Sequence, residues 1–186
     1  WELRYLRNDR ELASGVTDAF VYPTRDRNQT QDWTRFPVSG IDWADADGYL
    51  RWLDASGRVP GARFCSEVEW ERAARGADGR SFPHGDRLSP ADANIDETYG
   101  RDFAAMGPDM VGTFPASRSP FGLDDAVGNV FEWTASAFSS DEKIARGGGF
   151  FFAALTGSSV NRAAFSADFS DGSLGLRVCA TPFAGR

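Results

Sequence analysis

The chain has 186 residues, with 27 Asp and Glu against 20 Lys and Arg and a formal net charge of −7 at pH 7. This length makes one domain, burying about 70% of the surface that the unfolded chain exposes. With no block of Lys/Arg it lacks the electrostatic footprint for nucleic acid, its acidity argues against an anionic membrane surface, and no apolar run approaches the roughly 18 residues of a membrane span.

Residues 1–35 are polar and irregular, a segment of unclear role in which Val16–Tyr22 reads as a strand. The chain opens on Trp1 rather than Met, so an excised domain or a processed product, part of a larger multidomain protein, is expected. From residue 36 to 186 the pattern is that of one globular unit. Asp42 reads as an N-cap, and Trp43, Ala46, Leu50 and Leu53 recur at helical spacing as an apolar stripe, with Gly57 as the stop. A second helix opens at Ser66, where Glu69 completes a capping box, and runs to Arg75 before Gly76. Beyond Gly85 the text is rich in Gly, Asp and Pro with short apolar pairs, which suits long loops and short strands. Strand candidates there are Met110–Phe114, Val130–Thr134, Lys143–Arg146 and Leu176–Ala180.

Two cysteines, Cys65 and Cys179, are too few for a disulfide framework. Cysteine packs as a small hydrophobe, which favours buried free thiols; a single bridge is the alternative, and sequence does not supply the Cα separation it needs. On that reading a reducing compartment, and so the cytoplasm, is slightly favoured over the cell surface. His84 is the sole histidine. One imidazole builds neither a multi-histidine metal centre nor a Ser/His/Asp triad, and it reads as a loop residue. Gly147-Gly148-Gly149 lacks the Lys-Ser/Thr of a phosphate loop and reads as a tight turn.

Four blocks together carry a resemblance: Arg63 to Gly76, Gly128-Asn129-Val130-Phe131-Glu132-Trp133, Arg146-Gly147-Gly148-Gly149-Phe150 and Leu174-Gly175-Leu176-Arg177-Val178. They resemble the formylglycine-generating enzyme (sulfatase-modifying factor) family over about Phe36 to Ala180. The resemblance implies an α+β fold, an irregular variant of the C-type lectin fold with two helices, short antiparallel strands and long loops. It also implies structural calcium, held by Asp125, Glu132 and the main-chain carbonyls of Gly128 and Val130. A second, weaker set would be Asn94, Asp102 and the carbonyls of Ile95 and Ala104, spaced more tightly than in the enzymes. In the enzymes two cysteines bind copper and attack the substrate; the positions here are Phe152 and Gly157. Neither supplies the thiolate that serves as nucleophile and soft ligand, so no copper, no iron and no catalysis are expected.

After Asn161-Arg162, residues 163–173 are built from Phe, Ser, Ala, Asp and Gly. Those are residues that adenine mutation of an AAC codon yields, and the segment resembles the variable region of diversity-generating retroelement target proteins, which use this same fold. The resemblance implies a ligand-binding surface on Phe151, Phe152, Ala153, Ala163, Ala164, Phe165, Ser166, Phe169, Asp171, Gly172 and Ser173, facing solvent. Exposed aromatics there would act as rigid anchors among adaptable small residues. Three consecutive Phe on a strand cannot all face inward. The expected function is non-catalytic recognition of a protein or other macromolecule, with a divergent oxidoreductase of the same family or a degenerate structural domain as alternatives.

Overall fold

The computed structural model describes residues 3–7, 10–14 and 19–182, with side-chain surroundings from residue 19 onward. Both expected helices form where local capping chemistry places them. The Asp42 side chain accepts the Asp45 N–H, and α1 runs Trp43–Ala55 with Ala46, Leu50 and Leu53 buried. Gly57, at φ +69°, takes the chain out of it. At α2, Glu67–Arg75, Ser66 and Glu69 satisfy each other's main-chain N–H groups in a reciprocal box.

Among the described residues there are also ten short strands: β1 (Leu3–Arg7), β2 (Arg10–Ser14), β3 (Ala19–Val21), β4 (Thr30–Asp32), β5 (Ala62–Phe64), β6 (Phe131–Ala137), β7 (Glu142–Arg146), β8 (Ala163–Ser166), β9 (Leu174–Leu176) and β10 (Val178–Ala180). The largest sheet has the order β8-β7-β6-β9, with β9 parallel to β6 and the other pairs antiparallel. The pairs β1–β2, β3–β4 and β5–β10 stand apart from it. Trp133 and Phe131 of β6 meet Leu50 and Ala46 of α1 in the main core cluster, and Trp70 and Ala74 of α2 form a second with Cys65 and Ala126.

Three expectations change. Met110–Phe114 is a turn, not a strand: Gly112 sits at φ +81° and Thr113 N–H closes back on the Met110 carbonyl. The 176–180 strand is two strands, β9 pairing with β6 and β10 with β5, separated at Arg177. Of the expected Val16–Tyr22 strand, Ala19–Val21 is extended and residues 16–18 lie outside the described residues. The free-thiol reading is also overturned. Cys65 and Cys179 are joined as a disulfide, their Cα atoms 5.0 Å apart, because β10 lies antiparallel to β5 and puts Cys179 opposite Arg63. That removes the ground on which a reducing compartment was favoured. Among the described residues no helix is long and apolar enough to cross a membrane.

Residues 19–32 are bound to the rest through a buried cation. Arg25 lies between the rings of Tyr22 and Tyr99, 3.4 and 3.9 Å from their centroids. It donates to Asp109 at 2.6 Å and to the carbonyls of Ala105 and Gly107. Both charged side chains are wholly buried, so each neutralises what would otherwise be a costly isolated ion.

Candidate functional site

The glycine-rich turn after β7 is held by main-chain packing. A Cβ on Gly148 would stand 2.8 Å from the Gly157 nitrogen, and one on Gly128 would stand 2.4 Å from the Asn94 carbonyl oxygen. Gly157 N–H and its neighbours are thereby pressed against the 126–130 turn, and a Cβ on Gly157 would meet Val127 Cγ2 at 2.6 Å. This backbone leaves no room for a cysteine side chain at position 157. The other position that the resemblance assigns to catalysis, Phe152, is half-buried against the main core cluster, its ring 5.1 Å from that of Phe131. Both cysteines of the chain are spent in the disulfide. Neither of the two positions therefore supplies a thiolate.

Out of that turn grows a chain of aromatic rings. Phe103 touches Phe151 (centroids 5.7 Å), Phe151 touches Phe152 (6.0 Å), and Phe152 abuts Phe131. Phe131 meets Phe165 at 5.5 Å, and Phe165 stacks on Phe169 at 5.5 Å with the planes 9° apart. Phe131 is 2% exposed, while the ends reach solvent: Phe103 55%, Phe151 43% and Phe169 42%. The ridge thus has a buried middle and wet ends. The triple-Phe argument is met in a turn rather than a strand, with Phe150 buried, Phe151 exposed and Phe152 between.

The other expected contact residues divide by depth. Ala153, Ala164, Ser166 and Asp171 are exposed, as β8 alternates its side chains. Ala163, Phe165 and Gly172 are half-buried, and Ser173 is buried, its N–H and hydroxyl bound to Asp171 Oδ1. Phe165 and Phe152 face inward, against the expectation that they face solvent, because β6 offers Phe131 and Trp133 to cover them. Phe103 was not legible beforehand; it stands in Arg-Asp-Phe-Ala-Ala with no period to mark it. Its loop is fixed to the ridge by Asp96 N–H donating to the Phe152 carbonyl and by Arg101 holding Asp96 and Glu97.

Three of the four residues of the stronger calcium set, all but Gly128, line one pocket. Asp125, Val130 and Glu132, with Asn129 and Arg177, line a pocket of about 300 Å³. Asp125, held at φ +55°, accepts the Gly112 N–H, and burial pushes its carboxyl up to about 6, with Asp124 and Glu132 adding repulsion. The Gly112 N–H and the nearby Arg177 charge oppose that shift. Glu132 is better supplied: Arg177 grips both its oxygens at 2.7 and 2.8 Å, and Trp70 Nε1 donates at 2.5 Å. The weaker set is split. Asn94 and Ile95 are buried, with Asn94 Oδ1 lacking a hydrogen-bond partner, whereas Asp102 and Ala104 are exposed and bonded to each other through Asp102 Oδ1. Among the described residues no three His, Cys, Asp or Glu side chains converge as a metal site.

The remaining signature residues tie elements together. Glu69 caps α2 and binds Arg63, Trp70 reaches Glu132 on β6, and Glu71 holds Arg146 of β7 at 2.6 Å.

This frame, two capped helices around a small sheet with a glycine-packed turn, defines a domain class. Residues 7–182 match the sulfatase-modifying factor enzyme 1-like domain, and the chain belongs to that family. It is 36% identical over 116 residues to a formylglycine-generating enzyme of Mycobacterium tuberculosis, a match covering 58% of this chain and 36% of that protein. It is 35% identical over 123 residues to an inactive Cα-formylglycine-generating enzyme 2 of Bos taurus, covering 60% and 38%. The matches thus span well under half the length of these relatives. Among solved structures, Treponema denticola variable protein 1 shares the fold, with a TM-score of 0.70 and 18% identity over 82% of this chain and 73% of that one. The family therefore holds both an enzyme and a protein named as inactive, and the fold occurs in a variable protein.

Proposed function

We propose that this domain is a non-catalytic recognition module whose contact surface is the aromatic ridge and the segments that carry it, residues 151–153 and 163–173. Phe103 belongs to that surface. The carrying observation is the ridge itself: ring-to-ring contacts join three exposed phenylalanines to a buried middle, so anchors reach solvent yet are already ordered. Rigid aromatic anchors lose little entropy on binding. The occupied positions 152 and 157 and the bridged cysteines support a loss of the enzyme's chemistry. The ligand is a protein or other macromolecule. Calcium, when bound by Asp125, Glu132 and the Gly128 and Val130 carbonyls, would neutralise the Asp125 charge and stiffen the turn beneath the ridge, which titration of the chelator-treated protein by calcium would register as a rise in Tm.

The test is the DNA flanking the gene. A near-copy of codons 146–179 that differs at adenines, beside a reverse transcriptase, is the expected finding; a flank without one would return residues 151–173 to ordinary packing. Variants check the geometry independently. Phe151→Ala and Phe169→Ala should leave Tm within about 2 °C, whereas Phe165→Ala, which uncovers Phe131 and Trp133, should cost about 2–3 kcal/mol. A second reading, a divergent oxidoreductase, draws on the 36% identity to the mycobacterial enzyme; copper(I) binding by the reduced protein would favour it.

A further inference from the structure

We propose that the outer edge of β8 receives an extended, positively charged segment of a partner polypeptide as an added strand. The proposal rests on the recognition reading above and says what that face recognises.

The hydrogen-bond ladder fixes which groups are available. Ala167 N–H donates to the Asp141 carbonyl, and the same register pairs Phe165 with Lys143 and Ala163 with Ala145. Bonding alternates along an antiparallel pair, so residues 163, 165 and 167 bond inward to β7, and the main-chain groups of Ala164 and Ser166 point away from it. The Ser166 carbonyl accepts Phe169 N–H. Ala164 N–H, Ala164 C=O and Ser166 N–H are left for a newcomer. The opposite edge of the sheet is closed, since Gly40 N–H donates to Leu174 and Ser39 bridges to Gly175.

Edge strands are ordinarily guarded by lysine, proline, a bulge or a covering loop. β8 reads Ala-Ala-Phe-Ser, pairs with β7 without a register shift and carries exposed Ala164 and Ser166. Around it acidic side chains outnumber basic ones. Asp141 precedes β7 and Glu142 opens it, and Asp168 and Asp171 flank Phe169. Among the described residues none of the four has an Arg or Lys partner within ion-pair distance, while Lys143 lies over the Trp43 ring and Arg162 is paired with Glu67. A strand bringing its own cations would meet uncompensated carboxylates, and alternate apolar side chains would meet exposed Phe169.

The experiment uses the whole 186-residue chain and labelled peptides of about eight residues, read by fluorescence anisotropy. The probes alternate Lys with Val, Glu with Val or Ser with Val, and a fourth is the Lys–Val peptide N-methylated at alternate amides. The Lys–Val peptide is expected to bind at least about tenfold more tightly than the Glu and Ser peptides and to weaken in salt. N-methylation should abolish binding. Ala164→Pro, which deletes an outward N–H that β7 does not use and which an edge strand tolerates, should weaken it about tenfold or more. Absence of Lys–Val binding, or equal binding by the N-methylated peptide, overturns the proposal even if Ala164→Pro fails to fold. Equal binding of all three charge types that still falls with Phe151→Ala or Phe169→Ala also overturns it, and leaves the recognition reading intact. Binding lost in Ala164→Pro yet untouched in both Phe variants supports strand addition and sinks the aromatic-ridge reading instead.

Discussion

Gly157→Ala tests in one methyl group why the enzyme's cysteine has no place here. The added Cβ would lie 2.6 Å from Val127 Cγ2, against about 3.5–4.0 Å for carbon atoms in easy contact. Val127 is 1% exposed and packs with Phe82, Ala93 and Ile95, so it has no solvent to swing into. Overpacking of this size costs about 1–3 kcal/mol. Restricting the unfolded chain returns about 0.4–1 kcal/mol, leaving about 1–2 kcal/mol, a fall in Tm of about 2–8 °C. Val127→Ala alone should cost about 2 kcal/mol through the lost burial and the cavity. If the clash is the cause, the double variant Gly157→Ala/Val127→Ala should be no less stable than Val127→Ala, giving a coupling of about 1–2 kcal/mol in the double-mutant cycle. Urea unfolding of the four proteins measures it. Additive losses, or a Gly157→Ala variant as stable as the parent, would refute the argument that this backbone excludes a side chain at 157.

The disulfide closes a separation of 114 residues, for which the chain-entropy account gives about 4–5 kcal/mol and engineered bridges commonly deliver about 2–4; reductant should lower Tm substantially, and an unchanged transition would remove the bridge's assigned role. Glu69 provides a pH test. Hydrogen bonds from Arg63, then from Ser66, hold its carboxyl down at about 2. A depressed carboxylate contributes stability that is fully present above its unfolded pKa of about 4.5 and is lost as pH falls toward 2. The side chain is 44% exposed, so solvent screening reduces that contribution to about 1 kcal/mol. Glu69→Gln should therefore be about 1 kcal/mol less stable than the parent at pH 7, with the gap narrowing below about pH 4.5 and closing toward about pH 2; a constant gap would refute the ionic account.

What was legible in the sequence was what local chemistry decides. Asp42, Ser66 and Glu69 announce helix starts within three residues of themselves, and the structure keeps both helices. Met110–Phe114 reads as a strand candidate from short apolar pairs without a helical period, but Met110 and Val111 donate to Gln31 and Arg35, partners that no local pattern names. Leu176–Ala180 was misjudged for a similar reason. Arg177 turns its guanidinium to Glu132 and the Asp124 carbonyl, and the strands on either side join different sheets. The Cys65–Cys179 bridge and the Arg25–Asp109 pair depend on pairings across more than 80 residues, which composition does not encode. The ridge was half legible: the Phe-rich segments stood out, but their depth was set by Phe131 and Trp133 of β6.

The same residues that carry the family likeness explain why scaffold and chemistry can part. Glu69 caps a helix, Trp70 donates to Glu132, Glu71 holds Arg146, and Gly128, Gly148 and Gly157 let main chains approach. Each meets a structural demand that persists whether or not a reaction occurs. Arg146, 2% exposed, would be left a buried unpaired cation without Glu71 and Glu67. Glu132 would be a buried unpaired anion without Arg177. Resemblance in these blocks therefore reports the frame, and activity has to be read from the turn that follows it. There the frame carries Phe151 and Phe152 upward and pins Gly157 against Val127. At the two positions that the resemblance assigns to thiols, Phe152 joins the aromatic ridge and Gly157 packs against the Val127 side chain, so neither can be changed without disturbing its neighbours.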